Sequence, residues 1–340
     1  VNPRVTILDV AARAGVSISS VSAALNGRPG VSEDTRRRIV DVAEQLGWVP
    51  SLRGRSLSGQ KAYAVGLVLE RSSEVIESDP FFAGFIAGVE SVLERQGFAL
   101  VLQVASNREA AVQRYRQLAL DHRVDGVLLT DLSQHDARVR LVNELGLPAV
   151  AVNAAQRCAV AAVRQDHRPG LVELMDEVIA LGHRRIAHVA GRRGLLHTRQ
   201  RVEVWRSALQ KAGLEPGPLV YGDFTVESGS RAADDLRAAA GDTPTAVVCA
   251  NDLMAIGFIA RVSALGIDVP LEMSVTGFDG IPLGAFVRPA LTSVATAPRL
   301  LGDAAASMLL AVIQGETPSD VTVPATRLLR RDSLVDVPRA

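Results

Sequence analysis

Polar and aromatic side chains that close apolar, strand-length runs are the residues of this chain best placed to do chemistry. Asp79, Phe81 and Phe82 follow the run at 64–70. Asn153 ends AVAVN, Asn251 ends TAVVCAN and Asp279 ends SVTGFD. Arg201, in HTRQRVEVW, reads as the start of a helix beyond the run at 185–191, and Phe224 follows Gly222-Asp223 beyond a short run at 219–221. A carboxylate, an amide and a guanidinium facing one space suit sugar hydroxyls, and an aromatic wall at Phe82 or Phe224 would stack on a sugar face or a base. Each position also has a plainer reading. An Asp after a strand is often a helix cap, and Asp252 reads as the cap of a helix beginning at Leu253.

Catalytic chemistry is not indicated. The six histidines are scattered, with no HExxH, and no GxSxG, P-loop or strand-following GxGxxG is present. His183 in LGHRRI reads as a structural turn residue. Cys158 and Cys249 are the only cysteines, which builds neither a disulfide framework nor a metal site. No cofactor is expected.

A second chemically active stretch is TILDVAARAGVSISSVSAALN, Thr6 to Asn26, rich in small hydroxyls. Ile7, Val10, Ala11 and Ala14 recur at helical spacing, and Val21, Ala24 and Leu25 share one face of a second run. Gly15 suits the turn between them because it tolerates positive φ, and Ser17 is placed to cap the second helix. Two short helices joined this way read as a helix-turn-helix or as a helical hairpin in a larger core.

These residues need elements to hold them. Ser32, with Glu33 and Asp34 behind it, starts a third helix that carries Ile39, Val42, Ala43 and Leu46 in one stripe and stops at Gly47. Trp48-Val49-Pro50 breaks the pattern, and the basic segment at 51–59, with Gly54 in its middle, reads as a marginal helix or hinge. From Ala64 onward, strand-length apolar runs alternate with amphipathic helices, up to a helix at 298–314 and a strand-like stretch near 321–329. Such alternation means parallel sheets flanked by helices. There are too many units for one open sheet, so two α/β lobes are expected, with ligands beyond the carboxyl ends of the strands.

Length and charge agree with that division. A chain of 340 residues exceeds one typical core. An apolar fraction of 48% with 22% charged residues describes a globular protein. No run is long enough to span a membrane and the first residues lack a secretory pattern, so the cytosol is the expected compartment. The net charge is zero, yet residues 1–61 carry nine basic groups against five acidic ones, leaving the remainder at −4. A basic head on an acidic body is what phosphate binding needs. Lys occurs only at 61 and 211, so the arginines themselves weigh less than the sign asymmetry.

In order along the chain, TILDVAARAGVSISSVSAALNG, GVSEDTRRRI, WVPSLRGRSL, LGHRRIAHVAG, CANDLMAIG and SVTGFDG resemble the LacI/GalR family of transcriptional regulators over essentially the full length. The resemblance implies a helix-turn-helix DNA-binding domain at 1–50, a hinge helix at 51–61 and a two-lobed, periplasmic-binding-protein-like effector and dimerisation body at 62–340. It further implies a homodimer on a pseudo-palindromic operator, most simply a repressor, controlled by a small effector between the lobes.

Carried over by position, Thr6, Ser17, Ser20, Ser22 and Asn26 form a phosphate-facing set, and Ile18, Ser19 and Ala23 face base edges in the major groove. Leu57, flanked by Arg55, Ser56 and Ser58, matches a leucine that wedges into the minor groove and kinks the duplex. The chain departs from the family at Ala23, where many relatives carry Arg, and at Gly54, where Ala is usual. The first departure shifts expected selectivity from groove reading to half-site spacing and the Leu57 kink. The strand-end residues become the expected effector set: Asp79, Phe81, Phe82, Asn153, Arg201, Phe224, Asn251 and Asp279. A sugar-binding receptor of the periplasmic type shares the body's fold, and fold alone does not separate the two; the basic head and missing signal argue against it.

Overall fold

The structure is a computed structural model and describes residues 5–25, 29–48, 61–71, 79–239 and 243–337. It falls into two compact units that divide after Tyr63.

The first unit holds helices α1 (Ile7–Ala14), α2 (Ile18–Leu25) and α3 (Glu33–Gln45). The backbone N–H and hydroxyl of Thr6 both donate to Asp9 Oδ2, at 2.7 and 2.8 Å, which fixes the start of α1. Those bonds, the backbone one foremost, hold the Asp9 carboxyl below its ordinary range. Gly15, at φ 65°, closes α1, and the chain bends by 101° into α2, within the range of a helix-turn-helix. Ser17 Oγ accepts the Ser20 N–H at 3.1 Å, the cap its position predicts. Ser32 caps α3 by accepting the Thr35 N–H, and Gly47 leaves it at φ 62°. The core is a small cluster centred on Val10, Val21 and Ile39, all fully buried. Arg36 Nη1 donates to the Ala24 carbonyl at 3.0 Å and so ties α3 to the end of α2.

The second unit is a two-lobed α/β body. Its first lobe contains β1 (Ala64–Leu69), α4 (Pro80–Gln96), β2 (Ala99–Val104), α5 (Arg108–Leu120), β3 (Gly126–Leu129), α6 (Ala137–Glu144), β4 (Ala149–Val152) and β5 (Ala161–Gln165). The second lobe contains α7 (Arg168–Ala180), β6 (Ile186–Ala190), α8 (Leu196–Lys211), β7 (Leu219–Tyr221), α9 (Val226–Ala238), β8 (Ala246–Cys249), α10 (Asp252–Ala264), β9 (Ser274–Thr276) and β10 (Ser293–Ala295). The chain then returns to the first lobe with α11 (Pro298–Ile313) and β11 (Val321–Val323), and ends in the second with β12 (Arg327–Leu329).

The first sheet runs β11-β5-β4-β3-β1-β2 and the second β7-β6-β8-β9, and every pairing in both is parallel. All six residues of β1 are buried, as a central parallel strand covered on both faces must be. Helix α11 packs on α4 through facing glycines. A Cβ at Gly88 would lie 2.0 Å from the Arg299 carbonyl oxygen, and one at Gly302 would lie 2.1 Å from that of Phe85.

Two strands escape the sequence pattern. β5 reads AAVRQ, without the β-branched run that marks its neighbours, and β10 has only three residues. The stretch near 321–329 is two strands, not one: β11 joins the first sheet, whereas β12 pairs antiparallel with β10.

Three crossings join the lobes: β5 to α7, β10 to α11 and β11 to β12. One buried side chain ties them together. Gln165, in the first crossing, donates from Nε2 to the Pro324 carbonyl in the third at 2.9 Å and accepts the Ala297 N–H of the second on Oε1 at 3.2 Å. Thr326 adds its N–H and hydroxyl to the Asp166 carbonyl at 3.1 and 3.2 Å. Replacing Gln165 by Ala leaves a buried donor and acceptor unmet, a loss of about 1–3 kcal/mol. Urea denaturation of the full chain is expected to show that loss; an unchanged midpoint would mean the crossings hold without the clip.

Candidate functional site

The carboxyl ends of the strands in both lobes converge on one interlobe cavity of about 60 Å³. The first lobe contributes Arg71, Asp79, Phe81, Phe82, Thr130, Asp131, Leu132, Val152 and Asn153; the second contributes His167, His197, Arg201, Phe224, Asn251 and Asp279. All eight strand-end residues expected from the sequence therefore line a single space.

Four of the lining residues turn through positive φ: Asp131 at 50°, Asn153 at 53°, Phe224 at 74° and Asp279 at 109°. Asp and Asn tolerate that region, but Phe does not without cost, and such strain concentrates where side chains must be aimed.

The anchoring of each residue differs from a bare strand-end picture. Asp79 caps α4 by accepting the Phe81 N–H at 3.0 Å, and burial raises its pKa. Asn251, not Asp252, is the cap of α10: its Oδ1 accepts the Met254 N–H at 3.0 Å and its Nδ2 donates to the Phe224 carbonyl at 2.9 Å. Asp252 is instead the first residue of that helix, fully buried, and accepts the Ile281 N–H at 2.7 Å and the Ser293 hydroxyl at 2.5 Å. Asn153 Oδ1 accepts the Gln165 N–H at 2.8 Å, linking the cavity to the clipped crossings. Arg201 lies one turn inside α8 because that helix starts at Leu196, earlier than its pattern suggests. Its Nη1 donates to the Ala250 carbonyl, and its guanidinium sits 3.7 Å from the Phe278 ring centroid.

Phe82 and Phe224 are largely packed into their lobes, and the Arg71 guanidinium lies 5.6 and 4.8 Å from their ring centroids. Gly191 makes room for Phe224, since a Cβ there would fall 2.0 Å from its ring.

The cavity is charged on both sides. Arg71 pairs with Asp131 through two nitrogens at 2.8 and 2.9 Å. Against strong desolvation, Arg71 above all keeps the Asp131 carboxyl below its ordinary range. Burial brings Arg201 down to about 10, opposed by Asp279. Burial drives Asp279 well above the carboxylate range, opposed by Arg201. His197 is neutral, pushed down to about 3 by burial and by Arg201.

Arg71, Thr130, Asp131, His167 and His197 are cavity residues that sequence reasoning missed. Asp131 directly follows the run VDGVLLT, so the strand-end rule itself could have found it. His167 had no such signal, because the strand before it, β5, lacks a strand-like sequence.

At the rim, the lobes touch through the Leu196 N–H and Leu132 carbonyl at 2.9 Å, and through an ion pair. Arg192 reaches Glu70 with Nη2 to Oε1 at 2.8 Å and Nη1 to the Glu70 carbonyl at 2.7 Å, while Arg108 holds the other carboxylate oxygen at 3.1 Å.

On the first unit, Ile18 and Ser19 are exposed, Ile18 to 47%, while Ser20, Ser22 and Ala23 are half-buried. In this structure the Thr6 hydroxyl is engaged by Asp9, and Ser17 Oγ lies 2.7 and 2.8 Å from the hydroxyls of Ser19 and Ser20. Asn26, Arg55 and Leu57 lie outside the described residues.

Comparison with known proteins agrees with both units. Residues 6–51 match the family "Bacterial regulatory proteins, lacI family", and residues 175–334 match "Periplasmic binding protein-like domain". The HTH-type transcriptional regulator CelR of Thermobifida fusca is 34% identical, covering 97% of this chain and 98% of that one. The chain belongs to the LacI family. Like its LacI-family relatives it is a DNA-binding transcriptional regulator, and the head removes the receptor alternative. The HTH-type transcriptional repressor CytR of Escherichia coli (strain K12) is 29% identical over 92% of this chain and 90% of its own. Among solved structures, a lac repressor dimer bound to operator and the anti-inducer ONPF is 26% identical, covers 98% of this chain and 100% of that one, and superposes with a TM-score of 0.84. A CelR–cellobiose complex, 32% identical, covers 97% and 100% with a TM-score of 0.74. No single described helix is long and apolar enough to cross a membrane.

Two outcomes test this geometry. Arg192→Ala removes one interlobe tie while Arg108 still satisfies Glu70, so lobe stability should change by only about 1 kcal/mol or less. The ligand-free lobes should open, read as a larger radius of gyration in small-angle scattering; an unchanged radius would show that the pair does not hold them. Burial, opposed by the Ser293 hydrogen bond, raises Asp252 to about 7 from 3.8. A raised acid binds its proton more tightly when folded. Its contribution to stability is therefore complete below pH 3.8 and lost as pH rises through about 7. Asp252→Asn should flatten that fall, by up to about 1.4 kcal/mol per pH unit, in denaturation curves taken across the window; an unaltered slope would exclude Asp252 as its source.

Proposed function

We propose that this LacI-family regulator is a repressor that binds a pseudo-palindromic operator as a homodimer and answers to an uncharged saccharide held between its lobes. The observation that carries the effector half is the convergence of polar strand ends from both lobes on one cavity, guanidiniums and carboxylates together. The relatives support the same reading: a CelR structure holds cellobiose, and the lac repressor has been solved as a dimer on its operator. The exposed Leu102 and Val104 of the edge strand β2 offer apolar surface that a second copy would cover.

The working division is a DNA-binding domain at 1–50, a hinge at 51–61 and an effector body at 62–340. Ile18, Ser19 and Ala23 read base edges, one hydroxyl and two apolar groups with no bidentate donor. Thr6, Ser17, Ser20, Ser22, Asn26 and Arg55 contact the backbone, Thr6 and Ser17 by turning their hydroxyls from internal partners to phosphate. Leu57 wedges the central step. The protein works in the cytoplasm and its work is regulatory, not catalytic.

Selection from a random duplex pool with the full chain, followed by gel shifts with and without cellobiose or D-glucose, tests this function. Enrichment of a two-fold symmetric site whose affinity changes with a sugar is expected; enrichment of no sequence would sink the regulatory reading of the head. With the selected site, Ser19→Ala should relax one base position in each half-site at a cost of about 1–3 kcal/mol and leave the salt slope unaltered. A uniform loss across sequences would make Ser19 a backbone contact instead.

A further inference from the structure

His167 occupies an unusual position. It lies in the first interlobe crossing, two residues beyond the Gln165 clip, and its ring lines the cavity. The residue is buried, and neither ring nitrogen has a hydrogen-bond partner among the described residues. It stands at the N-cap position of α7 yet makes no capping bond. Packing holds it instead: its ring meets the edge of Phe278 at a centroid distance of 5.2 Å, and the same Phe278 ring carries the Arg201 guanidinium.

An imidazole in this setting has a definite requirement. Burial and the nearby Arg201 keep it neutral, so one nitrogen is a donor and the other an acceptor, and both are costly to leave unmet. Other cavity groups add to the demand. Among the described residues, Arg71 Nη1 and Arg201 Nε are buried donors without acceptors, and Thr130 Oγ1 is a buried hydroxyl with no partner. A carboxylate or phosphate offers acceptors only, and an ammonium offers donors only. Hydroxyl groups supply both. Asp131 already answers the Arg71 guanidinium at ion-pair distance. Asp279, driven by burial toward its protonated form, adds a hydroxyl group of its own. The lining thus already carries carboxyl groups that a further anion would have to face.

We propose that His167 is a ligand-reading residue: its imidazole exchanges hydrogen bonds with hydroxyls of an uncharged saccharide and so makes the interlobe crossing itself part of effector recognition. This rests on the saccharide reading of the cavity. It places a specificity contact in the segment that must flex when the lobes move. The ligand thereby touches the hinge directly as well as the two lobe faces.

Calorimetric titration of the full chain with cellobiose, D-glucose, D-glucuronate and D-glucose 6-phosphate tests the assignment, alongside His167→Leu and His167→Gln. The wild-type chain should bind a neutral sugar in preference to either anion. His167→Leu should weaken that binding by at least about tenfold while leaving the ligand-free melting temperature equal or higher, since two unmet polar atoms are gone. His167→Gln, which keeps a donor and an acceptor, should retain binding near wild type. If the Leu chain does not fold, His167→Met supplies the apolar variant. Wild-type affinity in the apolar variant would overturn the role of His167 and leave the saccharide cavity standing. Tightest binding of an anion would overturn the hydroxyl argument. Failure of the wild type to bind either neutral sugar would bring down the saccharide reading itself, and this inference with it.

Discussion

A parallel strand cannot turn straight back into its neighbour; the chain must cross over, usually as a helix, before the next strand begins. Every strand of one parallel sheet therefore ends on the same side. The body has two such sheets, and the carboxyl ends of both open on one cavity. The helix caps Asp79 and Asn251 and the positive-φ residues Asn153, Phe224 and Asp279 follow from where strands stop and helices start, while Arg201 reaches the same space from one turn inside α8.

Bringing so many polar ends together carries an electrostatic cost that the site meets unevenly. Arg71 and Asp131 answer each other at ion-pair distance, which keeps the Asp131 carboxyl ionised against its desolvation. Asp279 has no such close partner among the described residues, and burial drives its carboxyl far toward the protonated form. The cavity thus joins a settled pair to groups whose hydrogen-bonding demands are still open, such as Arg201 Nε and Thr130 Oγ1. Desolvated groups of the second kind are where an incoming molecule gains most.

Much of this was legible in the residues. The helix-turn-helix was readable from Gly15, Ser17 and the 3.6-residue spacing around them, because helix caps and turns are local and act through side chains a few positions apart. The strand-end residues were readable because long apolar runs such as AVGLVL announce where a buried strand stops. What failed was local signal. β5 holds its place through pairing with β4 and β11, not through its own AAVRQ, so His167 behind it stayed invisible. Asn251 and Asp252 were transposed in role, since only tertiary contacts from Ile281 and Ser293 reveal which of two adjacent polar residues turns inward. The rim pair of Glu70 with Arg192 joins residues far apart in the chain, and no spacing rule reaches that distance.

Three separate threads between two bodies would allow twisting, sliding and hinging in any mixture. Because Gln165 bonds the second and third threads from its seat in the first, the crossings share one fixed cross-section. Torsion that would spread them has to break those bonds, whereas bending about the tied point does not. The lobes are thereby left with close to one mechanical degree of freedom. A molecule that drew the two lobe faces together would act along that one motion, whatever its chemical identity.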